Sequence, residues 1–183
     1  MSKELITLRR PEAVDGSALH ALISACPPLD ENSMYCNLLQ CTHFSASSVV
    51  AERDRQLVAA ISGYLVPGRE DTLFIWQVAV SESARGQGLG RRMINDILSR
   101  PECSGGRYLE TTVTASNEAS WALFKGFARR AEAELEQTEL FNSTRHFNGE
   151  KPSEILARIG PLATQAGTGS EQGSTEHKKE MIA

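Results

Sequence analysis

The chain has 183 residues, 40% of them hydrophobic and 23% charged, which suits one globular domain with a proper core. With 19 basic against 23 acidic side chains its net charge is −4, which argues against nucleic acid or an anionic membrane as the main partner. No apolar run approaches bilayer-spanning length, the N-terminus lacks the apolar core of a signal peptide, and Cys26, Cys36, Cys41 and Cys103 show neither C-x-x-C nor zinc spacing; a cytoplasmic protein with reduced thiols and no metal is expected.

In chain order, Leu5 to Leu8 alternates modestly and Pro11 closes it, as for a first strand. Asp15 or Ser17 can cap a helix with Ala18, Leu19, Leu22, Ile23 and Cys26 on its apolar face, stopped by Pro27 and Pro28. Asp30, Asn32 and Ser33 offer caps for a second helix carrying Met34, Tyr35, Leu38, Leu39 and Cys41. Ser48 to Ala51 and Leu57 to Val66 are β-rich runs separated by polar residues, a hairpin signal, with Gly63 marking a bulge. The segment from Pro67 to Asp71 turns the chain into an unbroken β-branched and aromatic run, Leu73 to Val80, which reads as a buried central strand. A hinge at 81–84 and a glycine loop, Arg85 to Arg92, lead into a helix faced by Leu89, Met93, Ile94, Ile97 and Leu98. Arg107 to Thr114 should return beside the central strand, parallel to it because a helix intervenes. Asn117 to Phe127 reads as a helix with an Asn cap and a stop at Gly126. Ala131 to Leu140 is helical by propensity and a strand by alternation, and Glu154 to Ile159 is a last short strand. From Ala163 onward almost nothing is apolar, so the domain is expected over 1–162, with 163–183 a disordered tail.

Strand, glycine loop and helix together present unpaired backbone N–H groups and a positive dipole end to an anion. Arg85, Arg91 and Arg92 crowd that end of a net acidic chain, which points to phosphate. A Walker loop fails for want of Gly-Lys followed by Ser or Thr, and the dinucleotide fingerprint fails because residue 91 is Arg. What remains, Arg85-x-x-Gly88-x-Gly90 after a hydrophobic strand, resembles the pyrophosphate-binding motif of the GNAT superfamily of acyl-CoA N-acyltransferases. That resemblance implies an α/β (α+β) GNAT fold: a mixed, mostly antiparallel central sheet, splayed between its fourth and fifth strands, with helices on both faces. It favours a strand for 131–140. It also implies acetyl-CoA as co-substrate, held by Val78, Val80, Arg85, Gln87, Gly88, Gly90 and Arg91, with Asn117 across the splay.

Three further stretches, Pro27 to Phe44, Ile75 to Val80, and His146 to Glu150 with Glu154, resemble one family within that superfamily: the L-2,4-diaminobutyrate acetyltransferases of ectoine biosynthesis. The resemblance implies acetyl transfer to the 4-amino group of L-2,4-diaminobutyrate, giving a product that another enzyme cyclises to ectoine, and a homodimer. An alkylammonium with a pKa of about 10 must lose a proton before it can attack. Many superfamily members use a central-strand Glu for this, where Trp76-Gln77 stands here, and a Tyr as general acid, where Phe124 stands. By resemblance, Asp30 and Glu154 pair with the substrate's ammonium groups and relay the proton, Tyr35 is a catalytic and binding hydrogen-bond partner, and Trp76 walls the substrate pocket. Taken alone, Asp30 is as well read as a helix cap, Trp76 as core, Glu154 as an edge charge, and His43 and His146 as structural. Lys151 stands where the family often has a second His. An acyl-cysteine at Cys41 is disfavoured, since no depressed thiol pKa can be argued. Two other readings stay open: a GNAT enzyme for another amine (a peptide N-terminus, a lysine, another diamine), or a non-catalytic acyl-CoA-binding regulatory module.

Overall fold

The structure, a computed structural model, describes residues 5–163, so the expected tail falls, from residue 164, outside the described residues. Its strands are β1 (Thr7–Arg9), β2 (Val49–Arg53), β3 (Gln56–Val66), β4 (Arg69–Val80), β5 (Tyr108–Thr114), β6 (Leu135–Phe141) and β7 (Glu154–Ile159). Its helices are α1 (Gly16–Ser24), α2 (Met34–His43), α3 (Leu89–Leu98), α4 (Glu118–Arg130) and α5 (Ser143–Phe147). The strands form one seven-stranded sheet in the order β1-β2-β3-β4-β5-β7-β6, with β4 and β5 parallel and the other neighbours antiparallel.

The parallel pair is short. β4 and β5 meet from Thr72 opposite Tyr108 to Ile75 opposite Thr111, although β4 runs on to Val80 and β5 to Thr114. At the point of parting the β3–β4 register slips: Gly63 faces Ile75 and Ser62 faces Gln77, so Trp76 is the extra residue of a bulge. A bulge bends its strand and strengthens the local twist, and here it opens the sheet into a V with arms at 76–80 and 112–114. Gly63 is the residue that fits opposite the bulge, because a Cβ there would lie 2.7 Å from the Phe74 carbonyl oxygen. The hydroxyl of Ser48 accepts from the Gly63 N–H at 3.1 Å, and that of Ser47 donates to its carbonyl at 2.8 Å.

Packing explains which faces are covered. Leu89, Met93, Ile94 and Ile97 of α3, with Trp121, Phe124 and Phe127 of α4, are buried against Leu73, Ile75, Leu109 and Ile159. On the other side Leu19, Leu22, Ile23 and Cys26 pack on Val50, Ala60 and Ala79. The hairpin between β2 and β3 turns on Asp54 and Arg55, both with positive φ (51° and 63°), the geometry that matches strand twist in a two-residue loop.

Several elements depart from the sequence expectation. α4 passes through Gly126 and ends at Arg130, because burying Phe127 and Ala128 outweighs the ~1 kcal/mol penalty of a helical glycine. Asp15 does not cap α1 with its side chain; its carboxylate accepts from the Glu12 N–H at 2.7 Å in the turn before that helix, and Arg9 grips it in two hydrogen bonds of 2.7 and 2.8 Å. α2 turns a polar face inward: Asn37 and Gln40 are buried, joined at 3.0 Å, with Asn37 also bonded to His20, while Met34, Tyr35 and Leu38 are exposed. The ambiguous segment is the strand β6. α5 was not anticipated, since its five residues are held by the Asn142 side chain accepting from Thr144 and Arg145 rather than by an apolar face.

Glu110, on β5, is buried between two arginines. Arg69 donates to it at 2.8 and 2.9 Å, and Arg158, which also lies over the Tyr108 ring, donates from the other side. Burial pushes its pKa up, but the hydrogen bonds from Arg69 and then Arg158 outweigh that and hold it below the usual carboxylate value. Glu110→Ala is expected to cost about 3 kcal/mol, since it leaves two guanidinium groups facing each other, and so to lower the thermal midpoint by roughly 6–12 °C at neutral pH. A lowered carboxylate contributes above its unfolded pKa and is lost as pH falls through its folded one, so the gap between variant and wild type should close in acid. An unchanged midpoint at pH 7 would remove the triad from the account of stability.

Candidate functional site

Between the arms of the V lies a cleft of about 380 Å³, walled by Val78, Val80, Arg85, Gly88, Gly90 and Asn117 and by Cys26 to Leu29 from the opposite side. Gly88 is the N-cap of α3, in the left-handed region at φ 69°, and brings no capping side chain to the first turn. The N–H groups of that turn therefore face the cleft with the positive end of the helix dipole behind them. The Val80 carbonyl accepts from Cys26 Sγ at 3.4 Å and from Arg85 Nε at 3.3 Å, so it points away from β3 and toward the opening. Val78, two residues back, directs its backbone groups the same way. With β5 gone from this edge, the backbone groups of Val78 and the N–H of Val80 offer the free half of a ladder to an extended ligand arm, while the Val80 carbonyl is held by Cys26 and Arg85. Asn117 caps α4, its Oδ1 accepting from Ser120 N–H at 3.1 Å. The other two expected cofactor residues stand apart from the cleft walls: Gln87 donates to the Ser83 carbonyl within the turn, and Arg91 lines a second cleft between α3 and α4. The wall at Cys26 to Leu29 was missed as part of the cofactor cleft, because the local signal of Pro27 and Pro28 is a helix stop and their family resemblance pointed to the amine substrate.

At the mouth of the V, residues far apart in sequence converge. Asp30 and Lys151, separated by 121 positions, meet at 2.8 Å. Gln77 donates to the Asp30 backbone carbonyl at 2.7 Å and accepts from Asn32 Nδ2 at 2.7 Å, which pins the segment after α1 onto β4 beside Trp76. Glu154 opens β7 opposite Thr114, on the far arm. Its pKa lies above the ordinary carboxylate value: burial is the main cause and the Asp30 charge adds to it, while a hydrogen bond from Thr112 and the charge of Lys151 pull the other way. Trp76 is 40% exposed, with its ring 6.4 Å from that of Phe44; the bulge takes it out of the core, where a central-strand indole normally packs. Tyr35 sits in the first turn of α2, 69% exposed, and its hydroxyl makes no hydrogen bond among the described residues.

A family model described as the acetyltransferase (GNAT) family matches residues 17–128. The chain belongs to that family. It is 51% identical over 163 residues to an L-2,4-diaminobutyric acid acetyltransferase of Methylotuvimicrobium alcaliphilum, a match covering 88% of this chain and 95% of that protein. The protein of the same name from Chromohalobacter salexigens is 46% identical over 165 residues, covering 90% and 85%. Among solved structures the chain is similar to the diaminobutyrate acetyltransferase EctA of Paenibacillus lautus in complex with its substrate L-2,4-diaminobutyric acid and coenzyme A: TM-score 0.84 and 36% identity, covering 90% of this chain and 99% of that one.

In this GNAT fold the positions where many superfamily members carry acid and base are occupied otherwise. Phe124 is buried in the core at 2% exposure, and Gln77 is spent on holding the Asp30 segment. Burial pushes the Cys41 thiol up to about 11, with the Asp15 charge adding to it, so no thiolate is available there. His146 accepts from the Asn142 N–H at 2.7 Å and packs edge-on to Phe141, a structural use. Among the described residues no group of three His, Cys, Asp or Glu is arranged to hold a metal ion. What the arrangement can do chemically follows from its two halves: a cleft with free amides for an anionic, extended thioester, opening on a small site of two carboxylates and one ammonium.

Proposed function

We propose that the chain transfers the acetyl group of acetyl-CoA to the 4-amino group of L-2,4-diaminobutyrate, giving N4-acetyl-L-2,4-diaminobutyrate for ectoine synthesis. The observation that carries the reading is the pair Asp30 and Glu154 at the mouth of the cofactor cleft, beside a half-exposed Trp76. The relatives' names and the neighbour bound to the diamine and coenzyme A support it. In this reading the amides of the α3 first turn and Arg85 hold the diphosphate, and Val78 and Val80 pair with the pantetheine arm. Asp30 holds the substrate's α-ammonium, and Glu154, which burial makes more basic than an ordinary carboxylate, takes the proton from the 4-amino group directly or through water. Trp76 and Tyr35 close over the bound diamine. A free thiol of pKa about 8.5 departs as thiolate, so the absence of a Tyr at Phe124 is no obstacle.

The protein acts as a homodimer in the cytoplasm, where acetyl-CoA is supplied. Exposed Met34, Tyr35 and Leu38 on α2, and Leu140 and Phe141 on the edge strand β6, support a second copy as partner, and no helix among the described residues is long and apolar enough to cross a membrane. Thiol release by the purified enzyme is expected with acetyl-CoA and L-2,4-diaminobutyrate, and at least 100-fold more slowly with ornithine or peptides, since one misplaced methylene already takes the amine out of attack geometry. Equal turnover of peptides, or acetyl-CoA binding without amine-dependent thiol release, would replace this reading.

A further inference from the structure

The contact between Lys151 and Asp30 has no evident structural purpose. The two side chains are 54% and 74% exposed, and an ion pair so open to water contributes under ~1 kcal/mol to a fold. Yet it joins the segment between α1 and α2 to the chain before β7 at the mouth of the cleft, where Glu154 feels both charges. A weak, solvated pair opens readily, leaving each partner free to accept a ligand of opposite charge.

The charges can be counted. Asp30, Glu154 and Lys151 together supply two carboxylates and one ammonium. A diamino acid at neutral pH carries two ammonium groups and one carboxylate, the mirror image of that set. We propose that the Lys151–Asp30 pair opens on binding and becomes a clamp for the amino-acid head: Lys151 takes the α-carboxylate and Asp30 the α-ammonium, leaving the side-chain amine to Glu154. Lys151 is then a specificity residue, which selects acceptors bearing a carboxylate over plain diamines. No bond is made or broken in this step; one intramolecular ion pair is exchanged for two intermolecular ones. The inference rests on the proposed function, and it excludes the opposite role, in which Lys151 plugs the ammonium site and impedes the substrate.

The test compares L-2,4-diaminobutyrate with 1,3-diaminopropane, which lacks the carboxylate, in the full-length wild type, Lys151→Met and Lys151→Arg. Thiol release is followed, with diaminopropane measured as a competitive inhibitor where its turnover is too slow. For Lys151→Met the KM for diaminobutyrate should rise about tenfold with kcat changing much less, and the preference for diaminobutyrate over diaminopropane should narrow about tenfold; Lys151→Arg should recover most of both. Coenzyme A affinity controls for folding, which an exposed side chain should not disturb. A preference unchanged within threefold, or a KM for diaminobutyrate that falls in Lys151→Met, overturns the clamp. Failure of the wild type to use diaminobutyrate overturns the proposed function and the clamp with it, whereas an active wild type with an unaltered preference in the variants overturns the clamp alone.

Discussion

Replacing Glu154 by glutamine is expected to lower kcat by ~10²–10³, the range for loss of a general base, while the affinity for coenzyme A stays within a factor of two. Glutamine keeps the size and one hydrogen-bond acceptor of the side chain, so Thr112 retains a partner and the start of β7 is not disturbed. What is lost is the capacity to hold a proton. The pH dependence carries a second, independent sign. A base must be ionised to act, so activity rises with pH through its pKa, and burial beside Asp30 puts that of Glu154 above the ordinary 4.5. The acid limb of kcat/KM should accordingly lie at higher pH than an unperturbed carboxylate gives, and should be missing from the residual activity of Glu154→Gln. Retention of more than half the wild-type kcat would move the base elsewhere, with Asp30 as the nearest candidate.

Gly88→Asp should weaken coenzyme A binding by about 100-fold without unfolding the protein. An aspartate at the N-cap of α3 would fold its carboxylate onto the first-turn N–H groups that the diphosphate needs, and would repel the phosphates besides. Its effect on stability is small because two terms oppose: a side-chain cap contributes ~1 kcal/mol, and a non-glycine residue at a φ of 69° costs a similar amount. Space is not the issue, since a Cβ at Gly88 meets nothing within 4 Å. The measurement is titration calorimetry beside a melting curve. A dissociation constant within threefold of wild type would remove the turn from cofactor binding.

Much of this architecture was legible in the residues. The run from Leu73 to Val80 and the glycines at 86, 88 and 90 give a strand, a tight turn and a helix without ambiguity, because each signal is local. The parallel pairing of β4 with β5 followed from the intervening helix. Local signals could not reveal where β4 leaves β5, since the bulge at Trp76 depends on Gly63 and on the hydroxyls of Ser47 and Ser48 across the sheet. Nor could they reveal that α2 buries Asn37 and Gln40 beside the expected Cys41 and exposes Met34, Tyr35 and Leu38, which an apolar count places inward. Lys151 stood out only as a departure from a pattern. Its meeting with Asp30, and the use of Gln77 to fasten the Asp30 segment, exist only once the segments around residues 30 and 151 have folded onto the V.

The most direct test is a crystal structure of the full chain with coenzyme A and L-2,4-diaminobutyrate. The account predicts diphosphate oxygens within hydrogen-bond distance of the amides between Gly88 and Gly90, and the diamine between Asp30 and Glu154 with its 4-amino nitrogen about 3–3.5 Å from the position of the thioester carbon. A diphosphate bound away from that turn, or a diamine seated outside the V, would contradict it.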